Sequence, residues 1–295
     1  MVWALRTIPD TAGTSLWTAI AGRAVSPARR GHVNGTRWAL LSLTAAACQA
    51  LAGRWLDVGP FPGAYQAMFI VAFMATMGEW YFFGRLRVPN VPPPERAGAT
   101  LRERVRDYLR PLAGHRPFVR FVAGTFAFRV AYNMPAALFT LLWVRELGAS
   151  NALIGLRGTV AYAALVVGYL FWGRNANRLG HRRVLAAGAL GVAIYAITSA
   201  LLPAPVWLVP VALLWGIFVA GTDIGLFDLL LHTCPRGMEA RFVSVSQFAA
   251  NLAIFVGPLL GVALAGVTSV RTAMLVAGAL QLASIAAFAL LPKDV

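Results

Sequence analysis

The sequence predicts an all-α integral membrane protein, on three observations. Hydrophobic residues make up 59% of the 295 residues and charged residues only 13%, too little polar surface to cover a soluble globule of this size. Apolar runs long enough to cross a bilayer recur along the chain, without the two-residue alternation of barrel strands. Because lipid-exposed backbone satisfies its hydrogen bonds only in helices or closed barrels, each run predicts a helix.

The apolar runs predict about eight full spans after a less apolar opening segment. In that segment Arg6, Pro9 and Asp10 interrupt the apolar residues, so it makes a weak span and no cleavable signal peptide. The predicted spans are residues 36–55, 63–83, 118–144, 151–172, 184–202, 206–232, 242–267 and 272–291.

Arginine residues alternate between the connections of these spans. They cluster in residues 23–37, 85–120, 174–183 and 236–241, whereas the other connections carry few. The net charge of +15 therefore follows the positive-inside rule and not a nucleic-acid-binding face. We predict that residues 23–37, 85–117, 173–183 and 235–241 are cytoplasmic.

The connection after residue 172 combines glycines for turns with a cluster of cations. It resembles the loop between the second and third helices of each half in the major facilitator superfamily of secondary transporters, including its Gly-x-x-x-Asp-Arg-x-Gly pattern. Asn177 stands where that family usually has Asp. The matching residues are Gly173, Arg178, Gly180, His181, Arg182 and Arg183.

A second motif supports the same resemblance. Gly257, Pro258 and Gly261 are similar to the Gly-Pro-x-x-Gly element of the family's fifth helix. The resemblance implies a polytopic helical bundle that moves a small solute across the plasma membrane by alternating access, with protons as a candidate coupling ion and lipids as its surroundings. It implies no cofactor and no enzyme activity.

The resemblance also implies how the chain is divided. Residues 1–84 correspond to the last part of a first six-helix half, residues 85–117 to a cytoplasmic linker, and residues 118–295 to a complete second half. On this division the chain is N-terminally incomplete, as a fragment or as a truncated relative that works with a partner. The alternative function is a non-transporting interaction or sensory subunit derived from a transporter.

The linker contains one predicted helix. Its consecutive prolines at 92–94 exclude a helix there, whereas Thr100 and Glu103 form a capping-box pattern that opens one. Leucine and valine residues then alternate with arginines at helical spacing. Such a basic amphipathic helix lies on the cytoplasmic leaflet or is a solvated linker helix, and the pattern does not decide between them.

Ionisable residues inside predicted spans are costly and therefore mark candidate functional sites. Arg129 and Asp223 fall at similar depths in spans that line the central cavity in the family, with Asn133 one turn from Arg129. They line a solute- and proton-binding cavity or form a structural ion pair. Arg6 and Asp10 are further cavity candidates. We expect Arg157 to extend to the outer interface and Asp228 to pair with cytoplasmic arginines, and the remaining candidates fall in the two motifs above.

Signatures of other protein classes are missing from the sequence. The four histidines are far apart and show no H-E-x-x-H spacing, the two cysteines form no C-x-x-C, and no glycine-rich phosphate loop follows a strand. The sequence therefore predicts no catalytic residue, no metal site and no nucleic-acid partner.

Overall fold

The computed structural model describes residues 27–85, 100, 103, 106, 110–112, 114–235 and 238–290. Arg6, Asp10 and the prolines of the linker lie outside the described residues. The described elements are α1 (Pro27–Val58), α2 (Gly63–Gly84), α3 (Arg116–Asn133), α4 (Ala136–Leu141) with a π-helical turn at Leu142–Glu146, α5 (Asn151–Leu179), α6 (His181–Ala200), a 3-10 turn at Pro205–Trp207, α7 (Leu208–Thr233), α8 (Glu239–Val267), α9 (Val270–Ile285) and a 3-10 turn at Ala286–Leu290.

Seven of the described segments are long and apolar enough to cross a membrane, in agreement with an all-α polytopic protein. The predicted span at 36–55 lies in α1, which is 32 residues long but less apolar than the other seven. The seven are Gly63–Gly84, Arg116–Glu146, Asn151–Ala176, His181–Ala200, Pro205–Thr233, Arg241–Val267 and Val270–Phe288.

The N-terminal end of α1 lies before the predicted span of residues 36–55. The helix already begins at Pro27, within the connection that we predict to be cytoplasmic, and continues to Val58 without a break. Proline is well suited to the first position of a helix, because its missing N–H would be unpaired there anyway and its φ is already helical. The arginines at this end are therefore helical rather than part of a turn.

Helices α3 to α9 pack into one bundle. Within it α7 lies between α5 and α6, α9 packs on α6 and α3, and α8 packs on α3. The break between α3 and α4 falls at Met134 and Pro135, where the proline lacks the N–H that would continue the helical ladder. A fully buried aromatic cluster, which includes Phe121, Phe128 and Phe242, fills the space between α3, α7 and α8 at one end of the bundle.

The contacts at the two ends of the bundle agree with the up-and-down order of the helices. At one end, His181 at the start of α6 meets Asp228 near the end of α7. At the other end, Arg271 Nε lies 2.8 Å from Glu146 Oε2, and Arg271 Nη1 donates to the carbonyl oxygens of Ala200 and Leu202. Arg271 thus covers the carbonyl group of the last residue of α6, which has no partner within the helix, and a carbonyl group just beyond it.

Helix α1 packs against α5 through small residues and one carboxylate. Gly53 and Gly155 bring the two backbones so close that a Cβ atom on either would overlap its neighbour. At the end of this contact Asp57 accepts hydrogen bonds from the backbone N–H groups of Asn151 and Ala152, at 2.8 and 2.7 Å. Asp57 therefore caps the first turn of α5 from another helix.

The linker helix opens as the sequence predicts. Thr100 N–H donates to Glu103 Oε2 at 2.9 Å and Glu103 N–H donates to Thr100 Oγ1 at 3.3 Å, which is the reciprocal pattern of a capping box. The hydrogen bonds from Thr100, first its backbone N–H and then its hydroxyl, hold the pKa of Glu103 below its usual value. Most of the predicted apolar stripe of this helix lies outside the described residues.

Candidate functional site

A polar face crosses the middle of the bundle between α3, α5 and α7. Asp223 on α7 is exposed on this face, and its Oδ2 accepts a hydrogen bond of 2.8 Å from the hydroxyl of Tyr169 on α5. Both residues stand ten positions before the end of their helices, about 15 Å in at 1.5 Å per residue. Tyr169 could not be selected from the sequence, because a single tyrosine in an apolar run carries no signal until its neighbour is known.

Arg129 lies on α3 across from this carboxylate. It is half-buried and close enough to Asp223 for their charges to interact. Among the described residues, however, no carboxylate oxygen lies within ion-pair distance of its guanidinium. Its one-turn neighbour Asn133 donates from Nδ2 to the Arg129 carbonyl oxygen at 2.7 Å, so that side chain folds back on its own helix. The two charges thus share a face without a closed ion pair.

The connection between α5 and α6 differs from the expected loop. Gly173, Asn177 and Arg178 continue α5, which ends at Leu179, and only Gly180 leaves the helical conformation. The expectation of a turn at Gly173 is therefore wrong. The cations extend the helix beyond the apolar run because polar residues are as compatible with a helix as apolar ones outside the hydrocarbon. Gly180 makes the whole turn at φ 88°, where only glycine is unstrained.

The residues after Gly180 hold the inner ends of the helices together. His181 Nδ1 lies 2.9 Å from Asp228 Oδ2, in a close electrostatic contact without the alignment of a good hydrogen bond. The rings of His181 and His232 lie 5.3 Å apart. Among the described residues Asp228 therefore pairs with His181, whereas the sequence led us to expect an arginine. Arg182 and Arg183 follow in the first turn of α6.

The second motif packs against the break in α3. A Cβ atom on Gly257 would lie 2.7 Å from Asn133 Cβ, and one on Gly261 would overlap the carbonyl oxygen of Met134. Pro258 lies between them, inside α8, and removes one hydrogen bond of its helix. The motif thus provides a smooth helix surface on which the irregular backbone at Met134 and Pro135 can lie.

Arg157, which we expected to extend to the outer interface, contacts aromatic side chains of neighbouring segments. Its Nη2 donates to the hydroxyl of buried Tyr195 at 2.6 Å, and its guanidinium carbon lies 4.6 Å from the ring of Trp143 and 5.6 Å from that of Trp215. Aromatic rings attract a guanidinium through their negative faces. Tyr195 and Trp215 come from other helices, so the sequence alone could not reveal this arrangement.

Comparison with known proteins gives a matching family and a curated relative. The sequence profile of the Major Facilitator Superfamily matches residues 121–295, more than half of the chain. The chain belongs to this superfamily. A curated relative, the "Multi-drug resistance efflux pump PmrA homolog" of Lactococcus lactis subsp. lactis (strain IL1403), is 27% identical over 140 residues. That match covers 46% of this chain and 35% of the relative, so the chain spans about a third of the relative's length.

Proposed function

We propose that this superfamily member moves a small organic solute across the plasma membrane by alternating access, with Asp223 as the proton carrier and Arg129 as the binding residue for an acidic group of the solute. One observation carries the proposal: a cation and a carboxylate share an open face of the bundle without forming an ion pair. Membership of a transporter family and the similarity to a protein named as an efflux pump support it.

Electrostatics would couple the solute to the proton. Arg129 and the ionised Asp223 partly compensate one another's charge in a medium of low dielectric constant. When an acidic group reaches Arg129, two negative charges face one cation, and protonation of Asp223 relieves their repulsion. Binding of the anion and uptake of the proton then favour each other, as linkage requires of two coupled equilibria.

Tyr169 would hold the carboxylate in place. Its hydroxyl donates to Asp223 Oδ2, which holds the carboxylate toward α5 and would leave Arg129 to an acidic group of the solute. Arg6 and Asp10 remain candidates for the same cavity from the first half. We propose the division into residues 1–84, 85–117 and 118–295 as the frame of the two halves that alternate.

Reconstitution tests the proposal. The full chain in liposomes is given an anionic dye, fluorescein, or a cationic dye, ethidium, with and without an imposed pH gradient. We expect the gradient to drive fluorescein accumulation. Asp223→Asn should abolish the effect of the gradient but retain exchange of internal for external dye, and Arg129→Gln should lose both. Asp57→Asn, at an exposed helix end, is the matched control and should behave like the unaltered protein.

Three results would contradict the proposal. If Asp223→Asn responds to the gradient like the unaltered protein, this carboxylate does not carry the coupled proton. If the protein moves ethidium and not fluorescein, Arg129 does not select an acidic group. Movement of neither dye would contradict transport of organic solutes of this size.

A further inference from the structure

A small cavity lies between helices of the bundle, beside the face that carries Arg129 and Asp223. Its volume is about 150 Å³, and its lining comes from α3, α4, α6, α7 and α9. Four of the ten lining residues are aromatic, namely Tyr132, Phe139, Tyr195 and Trp215. Asn133, one turn from Arg129, also belongs to the lining, and Tyr132 is close enough to Asp223 for the two to interact, so the cavity borders the face of Arg129 and Asp223 and extends from it between the helices.

One wall of the cavity carries an acceptor without a donor. Gln281 is fully buried, and its Nε2 donates to the carbonyl oxygen of Ala131 at 3.1 Å. That bond fixes the orientation of the amide, because the opposite orientation would place two oxygens against each other. Gln281 Oε1 is then buried without a hydrogen-bond partner. A buried acceptor left in this state is costly, so the wall favours a ligand that brings an N–H or O–H group.

The other side of the cavity favours a negative charge. Tyr195 is buried in the lining, and its oxygen accepts a hydrogen bond from Arg157, which leaves its own O–H to donate. Arg157 lies one layer outside the lining, over the rings of Trp143 and Trp215, and no carboxylate of the described residues pairs with it. Trp143 Nε1 is also buried there without an acceptor. An uncompensated cation within a span favours an anion nearby.

The geometry points to a binding site for a small organic acid, in which a flat apolar body lies between the aromatic rings, a carboxylate accepts from Tyr195, and a hydrogen-bond donor at the opposite end meets Gln281 Oε1. Tyr195 and Gln281 are the contact residues, and Arg157 is a positioning residue that supplies positive potential through Tyr195. The alternative content is water, because a cavity of about 150 Å³ has room for several molecules.

A series of three probes tests the site in the unaltered protein. 4-Aminobenzoate carries both groups, benzoate lacks the donor, and 4-aminobenzamide lacks the charge. In isothermal titration of the detergent-solubilised protein we expect saturable binding of 4-aminobenzoate, and binding of each of the other two weaker by about tenfold, as is typical when a buried polar group loses its partner. Equal binding of the acid and the amide would overturn the proposal, and so would the absence of saturable binding, which leaves water as the content.

Variants of the protein test which residue recognises each end of 4-aminobenzoate. Gln281→Leu should remove the preference for 4-aminobenzoate over benzoate, and Arg157→Gln should remove the preference for the acid over the amide. Arg174→Gln, an exposed cation on the same helix as Arg157, is the matched control and should keep both preferences. A preference that survives its own variant overturns the assignment. If a variant does not yield folded protein by thermal unfolding, the probe series on the unaltered protein decides alone. None of these readouts depends on transport.

Discussion

The bundle of α3 to α9 and the helix α2 are both apolar enough for a membrane, yet they differ in packing. In the bundle, 61% of the most apolar stretch of the span His181–Ala200 is buried inside the protein. The buried share of the most apolar stretch of Gly63–Gly84 is 0%. Bundle glycines such as Gly216 and Gly261 lie against the backbone of a neighbouring segment, but Gly78 in α2 meets nothing within 4 Å. Composition therefore predicts that a helix lies in the bilayer, and small residues at contact points show which helices lie against each other.

The largest difference is expected from removing one large side chain in each region. Phe121 is fully buried in the bundle, and Phe73 on α2 is 61% exposed. Phe121→Ala should lower the free energy of unfolding by about 2–3 kcal/mol, below the usual range for buried phenylalanine because the unfolded reference is itself in an apolar medium. Phe73→Ala should change it by less than about 0.5 kcal/mol. Unfolding in detergent micelles measures both, and equal effects would refute the contrast.

Much of the fold could be predicted from the sequence, because the length of an apolar run determines whether a helix can cross the bilayer. Helix ends were harder to predict. α1 begins earlier than its apolar run and α5 ends later, at Leu179. Outside the hydrocarbon a helix needs no apolar residues, so the change in composition near Gly173 does not mark the end of the helix.

Two glycines of α8 differ in the contacts that they make, which allows a comparison within one helix of the bundle. A Cβ atom on Gly261 would overlap the Met134 carbonyl oxygen, whereas one on Gly266 would meet nothing within 4 Å. We expect Gly261→Ala to lower the free energy of unfolding by about 2 kcal/mol, since overpacking forces backbone to shift. Gly266→Ala should leave it unchanged or slightly raise it, because alanine favours a helix. A melting temperature lowered equally by both would show that helix flexibility matters here and not the contact with α3.

The turn between α5 and α6 allows a similar comparison of two glycines. Gly180 has φ 88°, whereas Gly173 is helical with open space around its Cβ position. Gly180→Ala should destabilise the protein by about 1–2 kcal/mol through backbone strain, and Gly173→Ala should be tolerated. Thermal unfolding of both purified variants checks this. Loss of folded protein with Gly173→Ala but not with Gly180→Ala would indicate that the chain turns at Gly173, as the sequence predicted.

The site was harder to predict than the fold, for a physical reason. Arg129 and Asp223 could be selected as candidates because a charge in a span is costly on its own, whatever its neighbours are. Tyr169, Tyr195 and Trp215 could not, because each is ordinary in an apolar helix and gains its role from a residue on another helix. A charged residue in a span can therefore be selected from the sequence, whereas the uncharged residues that contact it from other helices cannot.

The smallest effect is expected at the contact between the bundle and α1, the helix that precedes α2. α1 reaches the bundle through Asp57, whose carboxylate accepts from the first two N–H groups of α5. The hydrogen bond from the Ala152 N–H, with further ones from Asn151, holds the pKa of Asp57 below its usual value against the opposing effect of burial. Asp57→Ala removes both bonds and should lower the free energy of unfolding by about 1 kcal/mol, as the loss of a helix cap typically does.

The pH dependence separates the cap from a general surface effect. Because folding lowers the pKa of Asp57, its contribution is fully present above the unfolded value of about 3.9 and is lost as the pH falls through the folded value. The gap in melting temperature between the unaltered protein and Asp57→Ala should therefore be constant near neutral pH and narrow below about pH 4. Asp57→Asn is the control: its amide oxygen accepts at one N–H and carries no charge, so its gap to Asp57→Ala should be smaller and independent of pH. A gap that stays the same at low pH would mean that α1 is attached by the contact of Gly53 with Gly155, and that the carboxylate adds nothing.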